Sequence, residues 1–321
     1  MNDRPSLRPA DIARALWRNA SMLVLFVVLF AALSVFVRNF LSAVNLVNLA
    51  LSVSTVGMVA CTMLFCLVSG DFDLSVESIV ACSGVIAAVL VAETGSVAFG
   101  IAAAIVAGGL VGLLNGFVIA RLRINALITT LATMQIVRGL GFIICKGRPR
   151  ALLLPALGEA SLLGVPTPVW ITAGCFVAFG LLLNRTVFGR NALAIGGNRE
   201  AARLAGIAVT RTKMVIFTLQ GLVAGAAGVI VAAKMQLAHP RPMEGFSLNV
   251  ISACVLGGVS LSGGVGTMTG AVVGVLIMGT VENAMDLLNI EYFYKYVIRG
   301  SILLAAVLFD QLKQRRGGPR A

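Results

Sequence analysis

Long apolar runs without a single charge organise this chain. Residues 39–70, 94–120 and 245–281 hold 32, 27 and 37 consecutive residues lacking Asp, Glu, Lys and Arg. A bilayer-spanning helix needs about 20 apolar residues, whereas an outer-membrane strand alternates apolar and polar positions over about 10. The runs therefore predict membrane helices and exclude a barrel. Ten segments follow: Ser21–Val37, Val44–Val68, Val76–Val91, Ser96–Ala120, Ile124–Cys145, Val169–Leu183, Met214–Met235, Leu248–Leu261, Met268–Leu288 and Tyr292–Phe309. The sixth and eighth, with 15 and 14 residues, are short for a crossing and are expected to be broken or re-entrant. The first run is too long for a signal-peptide core and has no clear small-residue cleavage site behind it, so it counts as a span. The expected fold is all-α, a polytopic membrane helix bundle of about ten transmembrane segments. One transmembrane domain covers 21–309, with a segment 1–20 before it and a tail 310–321 after it.

Glycines recur within the spans at intervals of four: Gly108, Gly112 and Gly116; Gly221 and Gly225; Gly266, Gly270 and Gly274. That spacing puts each set on one helix face, where small residues let helix backbones approach closely in lipid. Two interruptions also echo each other. Val68, Gly70, Leu74 and Ser75 match Val255, Gly257, Leu261 and Ser262 at equal offset. The echo suggests an internal repeat with broken helices at corresponding places, as in many transporters.

Polar side chains interrupt the apolar pattern at few points, and these carry the candidate chemistry. Asp71 and Asp73 stand between two segments with Ser69 and Ser75 beside them, and Glu77 lies in the first turn of the next segment. A carboxylate is favoured at a helix N-terminus by the backbone dipole, so Asp73 or Ser75 can serve as a cap. The other reading is a polar break lining a water-filled path, where carboxylates accept hydrogen bonds from hydroxyls. Asn125, Thr129, Thr130, Thr133, Gln135 and Arg138 make the fifth segment too polar to face lipid, and their hydroxyls and amides suit a polyol. Glu282 and Asp286 share a helix face, with Asn283 between them. That face must meet protein or water, either as an ion pair with Lys295 or Arg299 or as part of a path. The candidate substrate-path residues are thus Asp71, Asp73, Ser75, Asn125, Thr129, Thr133, Glu282 and Asn283.

The hydrophilic stretch 184–213 contains a helix signature. Asn198 suits an N-cap, Glu200 the first turn and Gly206 the residue past the end. The two-turn helix so predicted has an apolar face of Ala201, Leu204 and Ala205 between basic flanks. It either docks on a partner or lies on anionic headgroups. Asn198, Arg199, Glu200, Ala201, Ala202, Arg203, Leu204 and Gly206 are the candidate coupling residues.

Composition agrees with the pattern. The 321 residues are 59% hydrophobic and 12% charged, against about 25% charged in soluble domains. The net charge of +12 does not indicate a nucleic-acid partner, because the basic residues sit in short runs beside apolar spans. With every segment crossing and the N-terminus inside, the inside stretches carry 16 Lys and Arg and the outside stretches five. That bias puts both termini and 184–213 in the cytoplasm. The six cysteines form no close pair and read as small packing residues. No phosphate-binding loop, metal-ligand spacing or nucleophile–base pair is evident, so no cofactor, metal or catalytic residue is expected and the energy must come from an ion gradient or a partner.

Four stretches in order carry a resemblance to a known family: Ser69-Gly70-Asp71-Phe72-Asp73-Leu74-Ser75, Ile124 through Leu140, Phe188 through Gly206, and Leu256 through Gly266. Together they resemble the permease subunits of bacterial ATP-binding-cassette importers for simple sugars, the ribose/xylose/arabinose group. The strings Gly70–Ser75 and Gly279–Met285 are most similar to the L-arabinose branch. The resemblance implies a multi-pass subunit of the bacterial inner membrane that moves a pentose, L-arabinose, and is not itself an enzyme. It also implies a cytoplasmic ATP-binding subunit, a periplasmic sugar-binding protein and a second permease copy, with Asn198–Gly206 as the ATPase-contacting segment. The chain departs from the family pattern at Glu77, where a small residue is usual, and at Ser247, where Glu is common. The alternatives are a ribose, xylose or galactose permease of that family, or an ion-coupled transporter using Glu282 and Asp286.

Overall fold

The computed structural model describes residues 9–158, 160–241 and 243–316. Residues 1–8 and 317–321 of the two expected end segments lie outside the described residues. The elements in chain order are α1 (Pro9–Phe36), α2 (Ala43–Val68), α3 (Val76–Thr94), α4 (Val97–Ala120), α5 (Ala126–Cys145), β1 (Arg150–Ala151), α6 (Pro155–Gly158), β2 (Ser161–Leu162), β3 (Val165–Pro166), α7 (Thr167–Arg185), α8 (Val187–Gly197), α9 (Arg199–Leu204), α10 (Val209–Met235), β4 (Leu237–Ala238), α11 (Phe246–Leu256), α12 (Met268–Leu287) and α13 (Tyr292–Arg316).

Each of the ten apolar segments contains one helix, although in the eighth, Leu248–Leu261, the helix stops at Leu256. Among the described residues seven are long and apolar enough to span a bilayer, and Met22–Phe36 and Phe246–Leu256 are shorter apolar helices. The expected shortness holds for α11, with 11 residues. It does not hold for the sixth segment: α7 runs for 19 residues, because Pro168 is accommodated in its first turn and the helix continues through Arg185. Sequence periodicity also missed α8, an 11-residue helix capped by the Thr186 hydroxyl on the Gly189 N–H. Three of its residues are glycines, which are poor helix formers.

The centre of the bundle is α2, buried almost without interruption from Val56 to Val68 and packed against α7, α10, α11 and α12. The glycine ribs bring α4 and α10 into backbone contact: a methyl group added at Gly112 would lie 2.1 Å from the Phe217 carbonyl oxygen. The opposite face of α4 exposes Phe99, Val106, Leu110, Leu114 and Phe117, an apolar stripe suited to lipid. At one end of the bundle, antiparallel pairing of β1 with β4 ties the loop after α5 to the loop after α10. At the other end, Arg123 of the α4–α5 turn meets α9 and the start of α10. The basic α4–α5 turn and the α9–α10 stretch thus share one end, and the loops after α5 and after α10 share the other.

Candidate functional site

The two interruptions that echo in sequence are one structural device used twice. After α2, the Gly70 N–H donates to the Leu67 carbonyl and the Asp71 N–H to the Cys66 carbonyl, both at 3.0 Å. After α11, the Gly258 N–H donates to Val255 and the Val259 N–H to Cys254, at 2.8 and 3.1 Å. Both are the helix-ending turn that needs a residue with positive φ, met by Gly70 at 80° and Gly258 at 85°. Geometry therefore pairs Gly70 with Gly258, one residue away from the register that the letters suggested.

The breaks meet each other and the coupling segment. The Gly264 N–H donates to the Val68 carbonyl at 2.8 Å. The end of α8 packs directly against this bond: a methyl group added at Gly196 would lie 1.8 Å from the Val68 carbonyl oxygen and 2.6 Å from the Gly264 nitrogen. Three chain segments share this crossing, and only an absent side chain permits it. A second tie lies nearby. Lys213, on the first turns of α10, forms an ion pair with Asp71 at 2.7 Å, and the two side chains are 5% and 10% exposed. The 69–75 break is thus held at Val68, where it leaves α2, by α8 and at Asp71 by α10.

Asp73 and Ser75 belong to a hydrogen-bonded relay. The Ser75 hydroxyl donates to Asp73 Oδ1, which also accepts from the Ser75 N–H at 2.9 Å. Asn115 on α4 donates its amide N–H to Ser75 Oγ at 2.9 Å, and the Thr133 hydroxyl on α5 donates to Asn115 Oδ1 at 2.7 Å. Asp73 is fully buried, and its Oδ2 has no hydrogen-bond partner among the described residues. Buried polar atoms are nearly always satisfied, so this oxygen is a free acceptor at the break. The other candidates on α5 act locally. Asn125 caps the helix through the Leu127 and Ile128 N–H groups, and the Thr129 hydroxyl donates back to the Asn125 carbonyl.

The two departures from the family pattern touch. The Glu77 N–H donates to Ser247 Oγ at 3.2 Å, and the Ser247 hydroxyl donates to the Leu74 carbonyl at 2.8 Å. The Glu77 carboxylate pairs with Arg138 on α5 and accepts from the Gly245 N–H at 3.1 Å. Glu77 therefore links α3, α5 and the start of α11.

The remaining candidates sit at the far end of the bundle, where α2 begins and α12 ends. Glu282 pairs with Arg299 on α13 at 2.7 Å and accepts from Asn249 at 2.9 Å, while Asp286 pairs with Lys295. Asn283 and Asn45 exchange amide hydrogen bonds at 2.9 and 2.7 Å. Beside them opens a cavity of about 370 Å³ lined by Asn45, Asn48, Ser52, Lys234, Asn283 and Asp286. These side chains offer donors and acceptors in a mixture that hydroxyl groups match.

In the coupling segment, Asn198 Oδ1 accepts from the Ala201 N–H at 2.9 Å, and Gly206 ends α9 with φ at 82°. Ala202 is buried against the protein, with Ile195 and Val209 in the same small cluster. Leu204, by contrast, is 75% exposed, and Ala201 and Ala205 are exposed beside it. Glu200 is held below the usual carboxylate range by its hydrogen bonds from Arg203, with Arg123 and Arg199 adding to the effect.

Several residues of this arrangement escaped sequence reasoning: Asn115, Lys213, Gly196, Asn45 and Gln220. Gln220 is fully buried on α10, with neither amide atom partnered among the described residues. The usable signal was a lone amide inside a charge-free span, which Asn115 shows.

Residues 45–307 match the family described as branched-chain amino acid transport system / permease component. The chain is 58% identical over 303 residues to the L-arabinose transport system permease protein of Escherichia coli (strain K12), covering 94% of this chain and 92% of that one. It is 52% identical over 319 residues to the L-arabinose ABC transporter permease protein of Azospirillum brasilense, covering 97% and 94%. It is 36% identical over 299 residues to the ribose import permease protein of Escherichia coli (strain K12), covering 91% and 93%. No solved structure matches it.

Proposed function

The chain belongs to the branched-chain amino acid transport system / permease component family, and we propose that it forms the membrane path of an ATP-driven L-arabinose importer. It is a multi-pass, non-catalytic inner-membrane subunit. ATP is hydrolysed by a separate ATP-binding subunit, and a periplasmic binding protein brings the sugar. Identities of 58% and 52% to arabinose permeases, against 36% to a ribose permease, support arabinose. An ion-coupled transporter is not favoured, since its coupling acids Glu282 and Asp286 are held by Arg299 and Lys295.

The observation that carries the mechanism is the crossing at Gly196 together with the Lys213–Asp71 pair. This subunit has no ATP site, so movement must arrive from outside. In our reading the ATP-binding subunit seats on the exposed Ala201, Leu204 and Ala205 face of α9. Displacement of α9 then carries Gly196 on one side and Lys213 on the other, and both grip the 69–75 break. The break bears Asp73, whose free oxygen meets the sugar when the helices part, and the far-end cavity receives the sugar first. Residues 21–309 act as one permease domain, with 184–213 as its coupling loop and both termini in the cytoplasm. A second copy covers the exposed face of α5, because Gln135 and the partly exposed Arg138 there would be costly against lipid.

The test uses the assembled complex with a tagged permease. Leu204→Asp is expected to release the ATP-binding subunit or leave hydrolysis running without sugar uptake, at an unchanged permease level. Normal L-arabinose uptake with the subunit still bound would show that α9 is not the seat. Hydrolysis stimulated by L-arabinose-loaded binding protein and not by ribose checks the cargo.

A further inference from the structure

Beside α9 the surface is hollowed into a cleft of about 710 Å³. Three separate stretches wall it: Arg123 on the α4–α5 turn, Arg199, Glu200 and Arg203 on α9, and Ile207 to Arg211 leading into α10. Four guanidinium groups thus face one carboxylate, and that carboxylate is already taken. Both Glu200 oxygens accept from Arg203, at 3.1 and 3.2 Å to its Nε. Among the described residues, none of Arg123, Arg199 and Arg211 is paired with a carboxylate. Like charges gathered in a concave surface repel each other and raise the local potential, so the cleft holds a standing demand for negative charge.

We infer that this cleft is the socket for an acidic segment of the ATP-binding subunit, which therefore grips the α4–α5 turn as well as α9. The inference rests on the reading that α9 seats that subunit, and it adds the chemistry and extent of the contact. A partner that covers Leu204 must also cover or closely approach Arg199 and Arg203 on the same short helix. Guanidinium groups taken out of water without counter-charges are strongly destabilising, so such a partner must bring carboxylates. Arg123 and Arg211 lie off α9 yet line the same space, so the carboxylates reach beyond the helix itself. An anionic lipid headgroup would also neutralise the arginines. It would leave Leu204, 75% exposed, uncovered in water, whereas a protein partner answers both needs at once. Charge at such a rim sets association rate and salt sensitivity.

The experiment holds the complex on resin through the tagged permease and measures retention of the ATP-binding subunit as NaCl is raised. Arg123→Gln and Arg211→Gln leave α9 intact, so they separate the cleft from the helix. Each is expected to weaken retention about threefold to tenfold at low salt, the double variant more, with a shallower dependence on salt. Arg123→Lys keeps the charge and should hold the subunit nearly as well as the wild type, which excludes a folding defect at that turn. Wild-type retention curves for both Gln variants would overturn the socket. If Leu204→Asp still released the subunit, the seat on α9 would stand without it. A second arm reconstitutes each complex in vesicles with and without phosphatidylglycerol. Variants that change uptake only in the presence of that lipid, with retention unaltered, would assign the cleft to a lipid phosphate and likewise overturn the socket.

Discussion

Removing one partner of the Lys213–Asp71 pair should be far worse than removing both. The two side chains are 5% and 10% exposed and 2.7 Å apart. Their neighbourhood is the apolar end of α2, where Cys66, Leu67 and Val68 are fully buried. A single substitution, Lys213→Met or Asp71→Leu, leaves one buried charge without a counter-charge. Breaking a buried pair in this way costs about 3–5 kcal/mol. Replacing both partners with apolar residues of similar volume is often neutral, so Asp71→Leu/Lys213→Met should regain most of that loss. The two single costs then sum to roughly 6–10 kcal/mol against a small cost for the double, a coupling energy far above the ~0.5 kcal/mol scatter of independent sites. Thermal unfolding of the purified permease in detergent reads the cycle. Uptake in proteoliposomes gives the functional half. If the pair carries movement from α10 to the break, the double variant should be stable and still hydrolyse excess ATP for each sugar moved. Additive losses in the double variant would refute the electrostatic argument. A double variant with wild-type coupling would refute the mechanical one.

Two further outcomes follow from single positions. Gly196→Ala places a methyl group 1.8 Å from the Val68 carbonyl oxygen, so it should lower thermal stability by about 1–3 kcal/mol or more and abolish uptake. Gly197→Ala meets nothing within 4 Å and should be silent in both measurements. For orientation, single cysteines are placed at Leu163, 86% exposed in the turn between β2 and β3, and at Leu204, 75% exposed on α9, in a background without reactive thiols. An impermeant thiol reagent added to intact cells should label the first and spare the second; the reverse would invert the topology.

The parts of this protein that were legible in the sequence are those decided by short-range free energies. Each of the ten apolar segments holds a helix because span length, missing charge and backbone satisfaction in lipid are properties of a segment alone. The ends of α9 were equally local. Asn198 caps the Ala201 N–H and Gly206 takes positive φ whatever the rest of the chain does. The glycine ribs announced a close helix contact, although not which helix would fill it. The pairing of distant faces was decided only by the tertiary structure. Asp71 finds Lys213, 142 residues on, and Asn45 finds Asn283, 238 residues on. Glu77 finds Ser247 and Gly245. For each polar group buried in a membrane bundle, several partners are chemically acceptable, and the packing of whole helices selects among them. The register of the internal echo was misplaced by one residue for the same reason. Its letters carry no geometry, whereas the matched turns after α2 and α11 are defined by where each helix must stop. Glycine is a poor helix former, yet Gly196 stands in α8 because backbone from another part of the chain, at Val68, presses within the reach of a side chain; Gly189 meets its near neighbour Leu183 across the α7–α8 turn. The cost of glycine in a helix is local, and what outweighed it here is a contact made only once the bundle had closed.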